Sequence, residues 1–219
     1  MTTTVLITGA GSGLGKALSK EYVNKGNHVI MVGRNEEKLV KASCDIDSDG
    51  SQTTCCVADI TSIQSIQDLK KSVVATFQTI DVLINCAGVG YFGPFKDLSP
   101  ENLKEMFEVN VFGTIYMTQH FIEVVDQRLV NIISTAGLKG KVNESGYVAS
   151  KFAVRGFTDS IRKEYEDSSL IITAVYMGGM DTPFWNDSTH IADKSRLKSP
   201  EVIAKAIVDC DSTADEIIV

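Results

Sequence analysis

The feature of this sequence that most constrains its fold is a regular alternation of short apolar runs with longer segments of helical periodicity. Seven runs are almost continuously apolar and rich in β-branched residues, as strands buried on both faces are: Thr4–Thr8, His28–Val32, Thr53–Val57, Asp81–Asn85, Leu129–Ser134, Leu170–Tyr176 and Glu216–Val219. Six segments between them carry apolar residues at helical spacing: Leu14–Lys25, Glu36–Ile46, Ile63–Phe77, Pro100–His120, Tyr147–Tyr165 and Pro200–Val208. Because parallel neighbours need long crossovers, the pattern predicts an α/β protein with a doubly wound parallel sheet of about seven strands and helices on both faces, a three-layer sandwich.

The pattern continues along the chain without a linker, repeat or shift in composition. The length of 219 residues therefore predicts a single domain, 1–219, large enough to bury a core without disulfides or a metal. The least regular stretch, about 182–198, is polar and follows the sixth predicted strand. We predict a short substrate loop there, with a plain surface loop as the alternative.

Composition argues against several classes of partner. The net charge of −7 gives no general attraction for nucleic acid or anionic membranes. No apolar run approaches the ~20 residues needed to cross a bilayer, and no secretory signal opens the chain. The five cysteines form no C-x-x-C pair and the three histidines lie far apart, so we expect no metal site and a reducing, cytoplasmic location.

The first predicted strand leads directly into a glycine-rich turn, TGAGSGLG at residues 8–15. Glycines let backbone N–H groups approach a pyrophosphate closely, and the N-terminus of the following helix adds partial positive charge. The turn therefore predicts a dinucleotide site, with a flexible turn as the alternative. Since Leu14 interrupts the G-x-G-x-x-G spacing, the pattern is T-G-x-x-x-G-x-G.

The end of the second predicted strand indicates which dinucleotide binds. NAD-binding proteins of this class usually place an acid there to bind the ribose hydroxyls, whereas this chain has Gly33-Arg34. Arg34 can form a bidentate contact with a 2′-phosphate, so NADP(H) is favoured. NAD(H) remains possible because Glu36 and Glu37 follow closely, and Arg34 could also be a solvated side chain.

Three residues form the candidate catalytic set. Tyr147 and Lys151 lie one helical turn apart, so they share a face, and a nearby ammonium lowers the pKa of a phenol. Ser134 ends the fifth predicted strand, at the sheet edge where ligands bind. This arrangement predicts proton exchange between Tyr147 and a carbonyl or hydroxyl oxygen.

Together these segments resemble the short-chain dehydrogenase/reductase family, whose Rossmann-type fold and hydride transfer the resemblance implies here. It implies that Tyr147 is the general acid/base and that Ser134 binds the reacting oxygen. Lys151 would lower the tyrosine pKa and hold the nicotinamide ribose, and Asn110 would position a water in the proton relay. The alternative for Asn110 is a polar residue that kinks or caps its helix.

The resemblance also implies the cofactor contacts. They are Gly9, Ser12, Gly13, Leu14, Gly15, Arg34, Asp59, Ile60, Asn85, Ala87, Gly88, Tyr147, Lys151, Gly178, Met180 and Thr182. The chain departs from the family at Cys86, which replaces an asparagine, and at Met177, which replaces a proline and puts the stiffness of its turn in doubt. Cys86 is expected to be a buried small residue, or else a thiol near the site.

The sequence thus predicts an NADP(H)-preferring oxidoreductase acting on a carbonyl or alcohol carbon of a small molecule. The alternative is a non-catalytic dinucleotide sensor or scaffold with the same fold. Five aromatic residues near the site predict an apolar pocket, or only the packing of loops onto the body: Tyr91, Phe92, Phe95, Phe184 and Trp185. The family resemblance further implies a homodimer or homotetramer paired through Pro100–His120 and Tyr147–Tyr165.

Overall fold

The computed structural model describes residues 3–185, 190, 193–210 and 213–219. Its centre is one seven-stranded sheet in which all neighbouring strands are parallel. The strands are β1 (Thr4–Thr8), β2 (His28–Gly33), β3 (Thr53–Val57), β4 (Ile80–Asn85), β5 (Val125–Ile132), β6 (Ile171–Tyr176) and β7 (Glu216–Ile218). Their order across the sheet is β3-β2-β1-β4-β5-β6-β7. This arrangement confirms the predicted Rossmann-type, doubly wound sheet.

Seven α-helices lie in the described ranges. They are α1 (Gly13–Asn24), α2 (Glu36–Ile46), α3 (Ile63–Phe77), α4 (Pro100–Phe107), α5 (Thr114–Phe121), α6 (Ser145–Glu164) and α7 (Pro200–Asp209). Side chains cap four of them by accepting a backbone N–H of the first turn, as short polar residues do: Asn35, Ser62, Ser99 and Ser199. No helix in the described part of the chain combines the length and apolarity that a membrane span requires.

The core consists of two apolar layers, one on each side of the sheet. Alternate strand residues face opposite layers: Val5 and Ile7 pack with α1, α2 and α7, whereas Leu6 packs with α3, α5 and α6. Burial of each large aliphatic side chain stabilises the fold by roughly 1.5–3 kcal/mol. Both strand faces are covered, which explains why the strand sequences are continuously apolar.

The helical segment predicted over Pro100–His120 is interrupted. Between α4 and α5 the backbone forms a π-helical turn at Glu108–Gly113. The wider turn places Asn110 inward, where its side chain binds Val89 and Ser150 rather than solvent. A single π-helical turn inside a helix often marks a functional site.

The fifth strand also differs from its prediction. It begins at Val125, four residues earlier than expected, and ends at Ile132, before Ser134. The apolar pattern does not predict the first half of β5, because Asp126 and Gln127 are exposed and polar. Arg128 is also polar, but it is buried and donates to Thr173. Ser134 is therefore positioned by the segment that connects β5 to α6.

The strand order creates a crevice at the carboxyl ends of β1 and β4. The chain leaves β1 in one direction toward β2 and β3, then returns to β4 on the other side of β1. The connections diverge from this point, and ligands of open α/β sheets bind outside the strand ends there.

Candidate active site

A cavity of about 860 Å³ opens at the carboxyl edge of the sheet. Residues that follow six different strands line it, among them Gly9, Arg34, Asp59, Ser134 and Met177. The cavity thus joins the glycine-rich turn, the end of β2 and the candidate catalytic residues in one continuous space. Its volume lies in the upper part of the range of small-molecule sites.

Tyr147 and Lys151 project from the first turns of α6 into this cavity. The Lys151 Nζ lies 5.7 Å from the centre of the Tyr147 ring and donates a 3.0 Å hydrogen bond to the Ile132 carbonyl at the end of β5. Both side chains are buried. The ammonium is therefore fixed between the strand end and the phenol.

Burial dominates the ionisation of both groups. It raises the pKa of Tyr147 above its usual value, and the hydrogen bond with Ser134 lowers that pKa by a smaller amount. The negative charge of Glu144 raises the Tyr147 pKa further. Burial lowers the pKa of Lys151 to about 8. The lowering of the Tyr147 pKa by Lys151 therefore stays a prediction, since burial outweighs every other influence in this arrangement.

Ser134 has a strained backbone at φ 102°, ψ 152°. This region is almost exclusive to glycine, and holding another residue in it costs roughly 1–3 kcal/mol. Both Ile133 and Ser134 donate their backbone N–H to the Val175 carbonyl, which fixes the strained segment against β6. The Ser134 Oγ accepts the Ala136 N–H at 3.2 Å, and the Ser134 hydroxyl also hydrogen-bonds with Tyr147.

Asn110 does not line the cavity but lies immediately behind it. Its Nδ2 donates to the Val89 carbonyl at 2.9 Å and to Ser150 Oγ at 3.0 Å, while its Oδ1 accepts the Val89 N–H at 2.8 Å. A Cβ added to Gly88 would lie 3.3 Å from Asn110 Oδ1 and 3.7 Å from Lys151 Nζ. The space next to Gly88 therefore brings the Asn110 oxygen and the Lys151 nitrogen together.

The glycine-rich turn leaves the N-terminus of α1 without a side-chain cap. Ser12 occupies the N-cap position but its side chain makes no capping hydrogen bond, in contrast with the four capped helices. Gly9 and Gly13 have φ values of +70° and +51°, which favour glycine, and both line the cavity with Ser12, Leu14 and Gly15. The first-turn amides of α1 thus face a space that a ligand can enter.

Thr8 connects this turn to the segment after β4. Its Oγ1 accepts the N–H groups of Cys86 and Ala87 at 3.0 and 3.1 Å. This contact holds the segment after β4 beside the glycine-rich turn. In that segment Cys86, Ala87 and Gly88 line the cavity. Cys86 is half-buried and lines the cavity, so its thiol lies near the site, and burial raises the pKa of that thiol to about 12.

Asn85 lies elsewhere than the family resemblance implies. Its side chain does not line the cavity; its Nδ2 donates to Thr118 Oγ1 and Asn131 Oδ1 in the layer between the sheet and the helices. The strand alternation places Asn85 on that face, because Cys86 already turns toward the cavity. Asn85 therefore ties β4 to β5 and α5 in this structure.

Arg34 lines the cavity after β2 together with Lys38, which has no motif in the sequence to mark it. Both side chains are exposed, and neither forms an ion pair within the described residues. Asn35 caps α2 by accepting the Lys38 N–H, so Lys38 stands in the first turn of that helix. The only sequence signal that Lys38 lies beside Arg34 is their four-residue spacing, about one helical turn.

Asp59 and Ile60 line the cavity after β3, as the resemblance implies. The Asp59 Oδ1 accepts both the N–H and the hydroxyl of Thr61, at 2.9 and 2.8 Å. These bonds fix the carboxylate at the rim of the cavity.

The turn after β6 contains Met177 in place of the family's proline, yet hydrogen bonds hold it. The Met177 carbonyl accepts the Thr135 N–H at 2.9 Å, and the Met180 carbonyl accepts the Trp185 indole N–H at 3.0 Å. Gly178, Met180 and Thr182 line the cavity, as expected. Thr135 thus ties this turn to the segment after β5, and Trp185 ties it to the residues that follow it.

Aromatic side chains form one wall of the cavity. Phe92 stacks on Trp185 with ring centres 4.8 Å apart, and both Phe92 and Phe184 meet the edge of the Tyr147 ring at 5.4 and 5.8 Å. Tyr91 also lines the cavity, whereas Phe95 is 78% exposed and does not. The aromatic pocket predicted from sequence is therefore present without Phe95.

The predicted substrate loop is only partly described: residues 186–189, 191 and 192 lie outside the described residues. Within the described part, His190 stacks on Phe92 and lies 3.1 Å from the Glu144 carboxylate. Glu144 and Lys141 line the cavity beside Tyr147 and were not identified from sequence. Among the described residues, no group of three His, Cys, Asp or Glu side chains is placed to hold a metal ion.

A family model described as short chain dehydrogenase matches residues 3–192. The chain belongs to this family. Among the relatives of this short-chain dehydrogenase is the uncharacterized oxidoreductase YxnA of Bacillus subtilis, 31% identical over 217 residues that cover 93% of this chain. The chain spans 61% of the length of that relative.

Solved structures of similar fold carry different dinucleotides. The alcohol dehydrogenase of Thermococcus sibiricus, complexed with 5-hydroxy-NADP, has a TM-score of 0.90 and 23% identity, covering 100% of this short-chain dehydrogenase and 96% of its own chain. The 3-ketoacyl-(acyl-carrier-protein) reductase of Brucella melitensis, complexed with NADH, has a TM-score of 0.90 and 24% identity. The match covers 99% of this chain and 96% of the reductase. At these identities the likeness shows the shared fold.

Proposed function

We propose that this short-chain dehydrogenase is an NADP(H)-preferring oxidoreductase that transfers a hydride between the nicotinamide and a carbonyl or alcohol carbon. The observation that carries the proposal is the convergence of Tyr147, Ser134 and Lys151 at one wall of the cavity, with Asn110 directly behind Lys151. A protein that only bound a dinucleotide would have no chemical use for this set.

The residues present fit a dinucleotide. The uncapped N-terminus of α1 offers backbone N–H groups and partial positive charge to a pyrophosphate. A side chain at Gly9 or Gly13 would be strained by the positive φ, and at Gly9 its Cβ would lie only 2.9 Å from Ala87 Cα. The pyrophosphate would bind there, with the nicotinamide end directed toward Gly178, Met180 and Thr182 beside Tyr147.

The preference for NADP(H) rests on Arg34 and Lys38. No carboxylate ends β2, where one would repel a phosphate, and two cations without ion-pair partners in the described residues face the cavity instead. Salt screens the attraction between an exposed cation and a distant charge. A phosphate bound between Arg34 and Lys38 would instead form charge-assisted hydrogen bonds with both side chains. Lys38 would thus supply a second contact to the 2′-phosphate, beside that of Arg34.

The chemistry divides between cofactor and chain. When bound, the nicotinamide supplies the hydride for reduction of the carbonyl carbon, or accepts it in the reverse direction. In the reduction, the Tyr147 hydroxyl donates its proton to the carbonyl oxygen, so the carbonyl becomes an alcohol and Tyr147 becomes a phenolate. The Ser134 hydroxyl donates a hydrogen bond to the same oxygen and stabilises its developing charge.

Lys151 and Asn110 restore the proton. The Lys151 ammonium stabilises the phenolate, and the space by Gly88 lets a water connect Lys151 Nζ with Asn110 Oδ1. Because burial raises the pKa of Tyr147, the neutral phenol is the resting form, which is the form that reduction consumes.

Subunit pairing is part of the proposal. Phe112 and Phe152, on the π-helical turn and α6, are 44% and 43% exposed, and Phe112 stacks on Tyr116. Large apolar side chains left exposed on these two elements favour burial against a second copy. We expect a homodimer or homotetramer by sedimentation, and a shift toward monomer in Phe112→Lys.

Separate titrations with NADPH and NADH test the proposal, combined with assays of ketone and aldehyde reduction. NADPH should bind at least about tenfold tighter. Arg34→Gln and Lys38→Gln should each weaken NADPH more than NADH, whereas Lys41→Gln, on the exposed face of α2, should change neither. Equal losses for both cofactors would contradict the phosphate contact, and binding without any turnover would favour a sensor.

A further inference from the structure

The cavity wall next to the catalytic residues contains a carboxylate and an ammonium that do not bond directly. Glu144 Oε2 and Lys141 Nζ are 3.9 Å apart, with side chains 10% and 30% exposed. A direct charge-assisted hydrogen bond would bring these atoms to about 2.7–2.9 Å. Both residues line the cavity, so the gap between them is open to a ligand.

Other contacts hold the two groups in place. Glu144 Oε1 lies 3.1 Å from His190 Nε2, and Lys141 Nζ donates to Thr135 Oγ1 at 3.3 Å. Glu144 Oε2 accepts no hydrogen bond within the described residues. The carboxylate is thus oriented through one oxygen and leaves the other available.

The pair is adjacent to the reaction centre in the chain and in space. Thr135 follows Ser134, and Glu144 precedes Tyr147 by three residues and raises its pKa through its charge. A substrate whose carbonyl oxygen meets Ser134 and Tyr147 would occupy the same cavity that Glu144 and Lys141 line. The aromatic side chains Phe92 and Phe184 contact the Tyr147 ring, and His190, which binds Glu144, stacks on Phe92.

We propose that Glu144 and Lys141 bind a neutral hydroxyl group of the substrate, so that the preferred substrates are hydroxyketones or the corresponding diols with an apolar flank. This inference rests on the proposed oxidoreductase function. A hydroxyl donates to Glu144 Oε2 and accepts from Lys141 Nζ at the same time, and a 3.9 Å separation lets one oxygen reach both atoms.

The same pair discriminates against charged groups. A substrate ammonium would be attracted by Glu144 and repelled by Lys141. A substrate carboxylate would be attracted by Lys141 and repelled by Glu144. Neither charged group can both donate to the carboxylate and accept from the ammonium. A ketone without a second polar group would leave Glu144 Oε2 desolvated and unpaired, which is costly in a partly buried site.

The experiment uses phenyl ketones whose alkyl chain ends in a hydroxyl one, two or three carbons from the carbonyl. Each is paired with the ketone in which methyl replaces hydroxyl, and with the amino and carboxylate analogues of the same length. The full chain is assayed with NADPH, and kcat/KM is compared within each set. At the best chain length, the hydroxyl ketone should exceed its methyl partner by about tenfold or more.

Two variants should change the selectivity in opposite directions. Lys141→Met should improve the ammonium ketone relative to the hydroxyl ketone, and Glu144→Gln should improve the carboxylate ketone, each by about tenfold. Lys139→Met and Glu101→Gln, which remove exposed charges away from the cavity lining, should keep the wild-type order. Opposed shifts in selectivity cannot arise from a merely structural role.

The outcomes separate the two proposals. Equal kcat/KM for hydroxyl and methyl ketones at all three lengths would overturn this inference while leaving the oxidoreductase intact. Loss of the hydroxyl preference in the Lys139 control as strongly as in Lys141→Met would also overturn it. Failure to reduce any ketone in either series would contradict the oxidoreductase and this inference together.

Discussion

The Lys151 ammonium donates to the Ile132 carbonyl and lies 5.7 Å from the centre of the Tyr147 ring, so the end of β5 determines where the positive charge meets the phenol. Both residues belong to α6, but their mutual position depends on this contact with the sheet. The catalytic pair is thus held by tertiary structure as well as by helical spacing.

The buried position of Lys151 predicts a pH dependence of stability. Its pKa falls from 10.5 to about 8, so the folded state binds fewer protons than the unfolded state between these pH values, and stability rises with pH there. The buried cation is most destabilising below pH 8, by roughly 3 kcal/mol. From pH 7 to 9.5, urea unfolding should show wild type gaining about 2 kcal/mol relative to Lys151→Met. A constant difference between the two proteins would contradict the shifted pKa.

The strained backbone of Ser134 predicts an unusual order of stabilities. Ser134→Gly removes both the hydroxyl and the strain, while Ser134→Ala removes the hydroxyl and keeps the strain at φ 102°. Ser134→Gly should therefore unfold with a free energy about 1 kcal/mol higher than Ser134→Ala. Both should lose turnover about 100-fold or more, as sites do when they lose an oxyanion donor. A less stable glycine variant would show that the residue is not strained.

The contact of Thr8 with the segment after β4 predicts a joint effect on stability and cofactor binding. Thr8→Val leaves the amides of Cys86 and Ala87 without their acceptor, which should reduce the free energy of unfolding by about 1–3 kcal/mol. NADPH binding should weaken as well, because both turns line the cavity. Thr8→Ser retains the acceptor and is the matched control, measured by urea unfolding and NADPH titration. An equal loss in Thr8→Ser, which keeps the hydroxyl, would contradict the role assigned to that acceptor.

Local patterns in the sequence were sufficient for much of this structure. The continuously apolar strands predicted a sheet covered on both faces, because a strand of that kind has no solvated side. The four-residue spacing of Tyr147 and Lys151 predicted a shared helical face, and the strand end at Ile132 brought Ser134 to the same edge, as expected.

Features that depend on long-range contacts could not be predicted. The π-helical turn at Asn110 arises from hydrogen bonds to Val89 and Ser150, which are distant in sequence. Asn85 resembles a cofactor contact by its position after β4, but its orientation depends on Thr118 and Asn131.

The charged groups of the cavity were also not predictable. Lys38, Lys141 and Glu144 are ordinary surface residue types, and only the folded chain shows that they line the cavity. Composition and helical periodicity give no signal for this placement, since each residue follows the polar pattern of its segment.

The measurement that tests the account most directly compares NADPH oxidation by wild type, Tyr147→Phe and Tyr165→Phe with a ketone substrate. Tyr147→Phe removes the proton donor but keeps the ring that packs against Phe92, so turnover should fall at least about 100-fold while NADPH binds almost as tightly as before. Tyr165→Phe, whose hydroxyl makes no hydrogen bond within the described residues, should retain wild-type turnover. Wild-type turnover in Tyr147→Phe would contradict the proposed mechanism.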